Sequence, residues 1–255
     1  MGYNKFIKFG NNVETYEYEK DIHIFHGVIK RYKIDDEEKE VDENAEFDIG
    51  KRKDNARRAS TAFRRLVSSN LDEKVRPLLL TSTYETNETD LKKAYYDHKL
   101  FVQTLKYTYG KNLKYICVPE FQRRGAVHFH ALFWGLPVDV LLPECKTGYY
   151  KNVSPTLSKI WGQGFVFLKE TDGNDKLSSY LAKYMAKAFT DPRLKNQKAY
   201  ASSRNVSRPY VVSGISSLWR LVDDWVGEDA VPIKEKEYET AYLGKVRYKL
   251  YKIAS

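Results

Sequence analysis

The chain has 255 residues, 42% of them hydrophobic, enough to bury one good core with appended elements but too few for a catalytic domain joined to a motor domain. No Gly-rich phosphate loop of the Walker type occurs, which argues against an ATP-driven motor. A formal net charge of +9 and a pI near 9.2 suit a polyanionic partner without naming it.

In chain order, residues Met1 to about Tyr32 read as short strands with a turn at Gly10-Asn11-Asn12. The stretch Ile34–Asp48 (IDDEEKEVDENAEFD) follows as a solvated loop or linker. It holds nine acids and one lysine, a net of −8, which leaves +17 on the rest of the chain. Lys51–Asn70 reads as a basic helix with Ala59, Phe63 and Leu66 at helical spacing. Arg76–Tyr84 reads as a central strand, and Thr89 to about Tyr109 as an amphipathic helix capped by Thr89 or Asp90. Leu113–Phe121 and Ala126–Gly135 are two strands of a hairpin closed by Gln122-Arg123-Arg124-Gly125. Gly164–Lys169 is a further strand, leading into a helix from about Lys176 to Phe189. Beyond it, Tyr210–Val212 and Tyr242–Tyr251 are strand-like pieces among loops. The mixture predicts an α+β domain on a central antiparallel sheet flanked by helices. The expected division is an N-terminal extension over 1–50, the main domain over 51–215, and a C-terminal extension over 216–255 packing on the same domain.

Cys117 and Cys145 are too few for a disulfide framework or a cysteine zinc site. No signal peptide opens the chain and no apolar stretch approaches the ~20 residues that span a bilayer. The expectation is therefore a cytoplasmic protein in a reducing compartment, with no membrane partner.

The sharpest chemical feature is His128-Phe129-His130 in the apolar segment GAVHFHALFW. On a strand, His128 and His130 share one face and Phe129 takes the other. If Arg123-Arg124-Gly125 forms a three-residue loop with Gly125 left-handed, Gln122 pairs with Ala126 and Glu120 lies opposite His128. A four-residue loop would turn Glu120 to the wrong face. Two imidazoles and a carboxylate suit Mn2+ or Mg2+ with open positions for phosphate oxygens and water, whereas zinc lacks a further His or Cys ligand here. The competing interpretation is a pair of hydrogen-bonded histidines in a sheet. His23, His26 and His98 have no comparable setting.

The second feature is Tyr180-Leu181-Ala182-Lys183-Tyr184-Met185-Ala186-Lys187. On a helix Tyr180 and Tyr184 are neighbours on one face, each followed three residues later by a lysine, Lys183 and Lys187. A phenol attacking phosphorus must lose a proton with an ordinary pKa of about 10, and nearby lysines and a metal reduce that cost. With 20 tyrosines in the chain, such a pair can equally be core packing.

At these residues the chain resembles the HUH endonucleases, named for His-hydrophobe-His. It is most similar to the rolling-circle replication initiators of small single-stranded DNA phages and related plasmids. Leu78–Tyr84 (LLLTSTY) is similar to the family's first strand motif, Pro119–Trp134 (PEFQRRGAVHFHALFW) to its metal motif, and Tyr180–Lys187 to its two-tyrosine motif. Ser202–Pro209 (SSRNVSRP) is similar to a segment that follows the tyrosine helix, so the resemblance runs from about Arg57 to Pro209. It implies that His128, His130 and Glu120 bind a divalent metal, Mn2+ or Mg2+. It implies further that Tyr180 and Tyr184 are nucleophiles, assisted by Lys183 and Lys187. The implied partners are single-stranded or hairpin-extruded origin DNA and a host helicase and polymerase, in the cytoplasm of a bacterial host cell.

A single strand calls for cations along a groove and aromatic platforms for its bases. The candidates are Arg57, Arg58, Arg64 and Arg65 on the basic helix, Arg123 and Arg124 at the hairpin tip, and Arg204 and Arg208. Alternatives to an initiator are a transposase or relaxase of the same superfamily, and a non-catalytic nucleic-acid-binding module.

Overall fold

The computed structural model describes residues 3–20, 49–71, 76–147, 150–194, 198–214, 219–240 and 243–253. The elements begin with β1 (Tyr3–Phe9), β2 (Asn12–Tyr18), α1 (Ile49–Ser68), β3 (Leu78–Thr83), α2 (Leu91–Tyr109), β4 (Lys114–Phe121) and β5 (Val127–Trp134). They continue with α3 (Val138–Thr147), α4 (Pro155–Trp161), β6 (Val166–Glu170), α5 (Asp175–Thr190) and a 3-10 turn at Pro192–Leu194. The last are β7 (Ala201–Ser202), β8 (Tyr210–Gly214), α6 (Trp219–Val226), β9 (Lys234–Thr240) and β10 (Gly244–Lys252). The fold is α+β, with two five-stranded antiparallel sheets. No helix among the described residues is long and apolar enough to cross a membrane.

By its contacts the chain divides into Gly50–Arg208 and a unit made of Met1–Ile49 with Pro209–Ser255. In Gly50–Arg208 the strand order is β6-β3-β5-β4-β7. Strand β5 is buried at every position, as a central strand with helices on both faces must be. One face carries Phe129 and Phe133, on which α2 lays the rings of Tyr95, His98 and Phe101. The spacing of Leu91, Ala94, His98, Phe101, Val102 and Leu105 gives α2 that apolar stripe, and the Asp90 carboxylate caps it by accepting from the amides of Lys92 and Lys93. The other face carries His128 and His130 and is covered by α5, which packs along β4. Helix α1 is tied to α5 where the Ser60 hydroxyl donates to the Ala182 carbonyl at 3.3 Å. Its residues Phe63, Leu66 and Val67 enter the same core, while Ala59 is only half-buried.

In the unit formed by the chain's two ends the order is β8-β1-β2-β10-β9. The β1–β2 hairpin turns at Gly10-Asn11, and β2 then pairs with β10. Helix α6 sets Trp219 and Trp225 against Phe6, Val13 and Tyr251, with Val222 buried beneath. Strand β8 thus belongs with the terminal strands, although the expected division placed it in the main domain, and the two expected extensions supply one shared sheet. Helices α3, α4 and α6 and strands β7 and β9 were not anticipated. The acidic stretch Ile34–Asp48, with His23 and His26, lies outside the described residues.

Candidate functional site

The hairpin turn decides what faces the site. The Gln122 amide donates to the Ala126 carbonyl and the Gly125 amide to the Gln122 carbonyl, each at 2.9 Å. Gly125 has φ 96°, a conformation that side-chain-bearing residues rarely adopt. This is the three-residue loop, and it places Glu120 directly opposite His128. The same pairing puts Cys117 on the opposite face, where it is buried beside His98 at 4.0 Å from the ring nitrogen. Neither Cys117 nor His98 can join the histidine pair.

Across the sheet, the His130 Nε2–H donates to Glu120 Oε2 at 2.7 Å, and Lys187 Nζ donates to Glu120 Oε1 at 3.0 Å. On its other side, the His130 Nδ1 meets the Thr81 hydroxyl at 3.2 Å. The His130 bond, reinforced by Lys187, holds the Glu120 carboxyl down at about 2 against some cost of burial. Burial, with a smaller push from His130, lowers His128 to about 4. His128 Nε2 is buried and has no hydrogen-bond partner among the described residues.

Helix α5 begins at the Asn174 cap and carries the tyrosines over this face. The Tyr184 ring stacks on His130 with centroids 3.9 Å apart and planes 23° apart. The Tyr180 and Tyr184 hydroxyls are 2.8 Å apart, so the two phenolic oxygens meet at one point. Burial raises the Tyr184 pKa, and the Tyr180 hydrogen bond and the Glu120 charge add to the rise. Lys187 lies 5.6 Å from the Tyr184 ring centre, whereas Lys183 is exposed and makes none of these contacts.

Beside the constellation opens a cleft of about 1310 Å³, lined by Glu120, His128, His130 and Lys187 together with Arg123 and Arg124. Arg124 is fixed there, donating to the Tyr84 carbonyl at 2.7 Å and to the Gln122 side chain at 2.9 Å. Arg57 and Arg58 are exposed on α1, Arg64 and Arg65 are half-buried there, and Arg204 and Arg208 are exposed near β7. None of these six is among the residues lining the cleft. The cleft also presents Phe165 and Phe167, exposed by 39% and 41%, and Arg193, none of which the motifs had indicated. As the side chains stand, no group of three or more His, Cys, Asp or Glu among the described residues is arranged to hold a metal ion. The donor chemistry nonetheless fits a divalent cation. A buried imidazole nitrogen without a partner, a second imidazole and an ionised carboxylate all lie on one face.

No curated protein and no solved structure matches the chain. The family model of the replication-associated protein ORF2/G2P matches residues 77–189, a span that includes Glu120, His128, His130, Tyr180, Tyr184 and Lys187, and this match supports a role in the initiation of replication.

Proposed function

We propose that the chain starts rolling-circle replication by nicking single-stranded origin DNA with a tyrosine and holding the 5′ end as a phosphotyrosine. One observation carries this reading. Two tyrosine hydroxyls 2.8 Å apart are delivered by one helix onto a histidine–carboxylate–lysine chain, inside the span matched to a replication-associated family.

A tyrosine Oη gives up its proton as it attacks the scissile phosphorus, the bond from phosphorus to the 3′ oxygen breaks, and the leaving oxygen takes up a proton. One phosphodiester is exchanged for another, so a second cut by the other tyrosine, and rejoining as a 3′ hydroxyl attacks the phosphotyrosine and releases the phenol, require no nucleotide hydrolysis. Stacking on His130 fixes the plane of Tyr184, and the shared hydrogen bond fixes Tyr180 against it, which removes much of the entropic cost of positioning a nucleophile. Lys187 brings a cation to the charge that develops on the phosphate oxygens. Thr81 orients the His130 ring from behind. His128, His130 and Glu120 are the residues that would hold Mn2+ or Mg2+, which when bound supplies Lewis-acid polarisation of the phosphate.

The test is incubation with end-labelled single-stranded origin DNA and Mn2+, followed by denaturing electrophoresis. A covalent protein–DNA adduct that disappears with chelator is expected. Tight binding with neither adduct nor cleavage across a broad panel of strands would leave a non-catalytic nucleic-acid-binding module instead.

A further inference from the structure

Arg193 stands just after α5, outside the span matched to the family and outside every motif. Its guanidinium lies over the Phe121 ring, with the central carbon 3.9 Å from the ring centre. The fork of the same guanidinium is already engaged. Arg193 Nε donates to Asp191 Oδ1 at 2.9 Å and Nη2 to Asp191 Oδ2 at 2.5 Å. The Arg193 backbone amide also donates to Oδ1, at 3.0 Å, which locks the turn. A guanidinium whose bidentate edge is taken by a carboxylate is a poor clamp for phosphate, because recognition of phosphate uses that same edge. Its flat face remains useful. One side rests on Phe121, while the side chain is still 49% exposed, and both residues line the cleft. Phe121 and Arg193 line the same cleft as Glu120, His128 and His130, which sets this platform beside the histidine–carboxylate chain. The cleft also exposes the rings of Phe165 and Phe167, with Tyr150 packed edge-on to Phe165.

We propose that Arg193, clamped at its edge by Asp191 and lying over the Phe121 ring, is a base-stacking platform that seats one nucleotide of the single strand beside the scissile phosphate. The inference rests on the nicking reading, and it adds a positioning residue that acts on a base rather than on the backbone. Stacking on an arginine plane backed by an aromatic ring uses the π-face that every base has, and the Asp191 clamp keeps the plane from rotating away.

The experiment is fluorescence anisotropy of a labelled origin single strand on the full chain, with chelator present so that nothing is cut. It compares the wild type with Arg193→Ala and Arg193→Lys over a range of salt concentrations. Stacking predicts that both variants bind about 5- to 100-fold more weakly and that the salt slope is unchanged for Lys. A phosphate contact predicts that Lys restores affinity and that Ala lowers the slope by about 0.7. Abasic substitution along the strand gives a second readout independent of protein stability. One position should weaken wild-type binding and be without effect in Arg193→Ala, whereas equal sensitivity of the two proteins at every position would overturn the assignment. A wild type that binds and nicks while Lys fully replaces Arg193 overturns only this inference. A wild type that binds a strand in chelator but forms no adduct once Mn2+ is supplied overturns only the nicking reading, and one that binds no single strand overturns both.

Discussion

Both units are built on five antiparallel strands, and in each a strand with buried polar side chains runs through the interior of the sheet. In the terminal unit, the carboxylate of Glu14 on β2 is buried, and it accepts hydroxyls from Tyr16 at 3.1 Å and Tyr248 at 3.3 Å. In Gly50–Arg208, His128 and His130 of β5 line a cleft, and among the described residues His128 Nε2 has no hydrogen-bond partner. The edges differ too. Strand β9, KEKEYET, is exposed almost throughout and pairs its charges with β10, Arg247 to Glu237 at 3.6 Å and Lys249 to Glu235 at 3.8 Å, as an edge that discourages further pairing does. Two sheets of the same size and pairing therefore serve different ends. The difference lies in one buried group of each central strand: the Glu14 carboxylate is answered by hydroxyls of its own sheet, whereas His128 is turned toward an opening.

The largest effect expected is on the chemistry of the histidine–tyrosine constellation beside the cleft. His130→Ala, and the double change Tyr180→Phe with Tyr184→Phe, should each lower adduct formation roughly a thousandfold or more. Either single Tyr→Phe variant should keep partial activity if the hydroxyls substitute for one another. Robust adduct in the double variant would remove the tyrosines from the reaction. Next in size is Phe6→Ala in the terminal unit. It should cost about 3–5 kcal/mol of stability by opening a cavity against Trp219, and leave adduct formation per folded molecule unchanged. Loss of nicking in molecules that remain folded would show that the comparison divides the labour too sharply.

The smallest effect is a pH dependence. Burial holds His98 neutral, with its pKa down at about 4 from an ordinary 6.5, and it is 3% exposed. Protonation favours the unfolded chain, so the stability from neutral His98 is complete above pH 6.5 and is lost as the pH falls toward 4. Between pH 6.5 and 4.5 the share of the loss due to His98 is about 2 kcal/mol. His98→Leu should remove that share of the slope in chemical denaturation and leave the part due to His128, whose pKa is also about 4. An unchanged slope would contradict the burial argument.

Much of the site was legible because its signals are local. The period of two in His128-Phe129-His130, the Gly125 turn and the four-residue spacing of Tyr180 and Tyr184 each specify a face, and the observed register pairs Glu120 with His128. Lys183 and Lys187 looked equivalent by spacing, but only Lys187 lies over β4 within reach of Glu120. Arg193 was missed because its partner Phe121 lies on another element, and nothing in Asp191-Pro192-Arg193 beyond a turn announces the stack. Helix α3 contains Pro143, which hides it from any helical pattern, and β9 has no apolar alternation because pairing with β10 holds it in place. The terminal sheet was beyond local reading for a plainer reason. Its pairs, Phe6 with Val212 and Tyr16 with Tyr248, join opposite ends of the chain.

That last pairing has a consequence for synthesis on the ribosome. Every strand of the histidine-bearing sheet lies between Leu78 and Ser202, so that sheet can close while the ribosome is still adding residues. Strands β1 and β2 are made before that sheet yet must wait for β8 and β10, and their exposed edges are open to wrong partners in the interval. Strands made before the histidine-bearing sheet are thus completed after it.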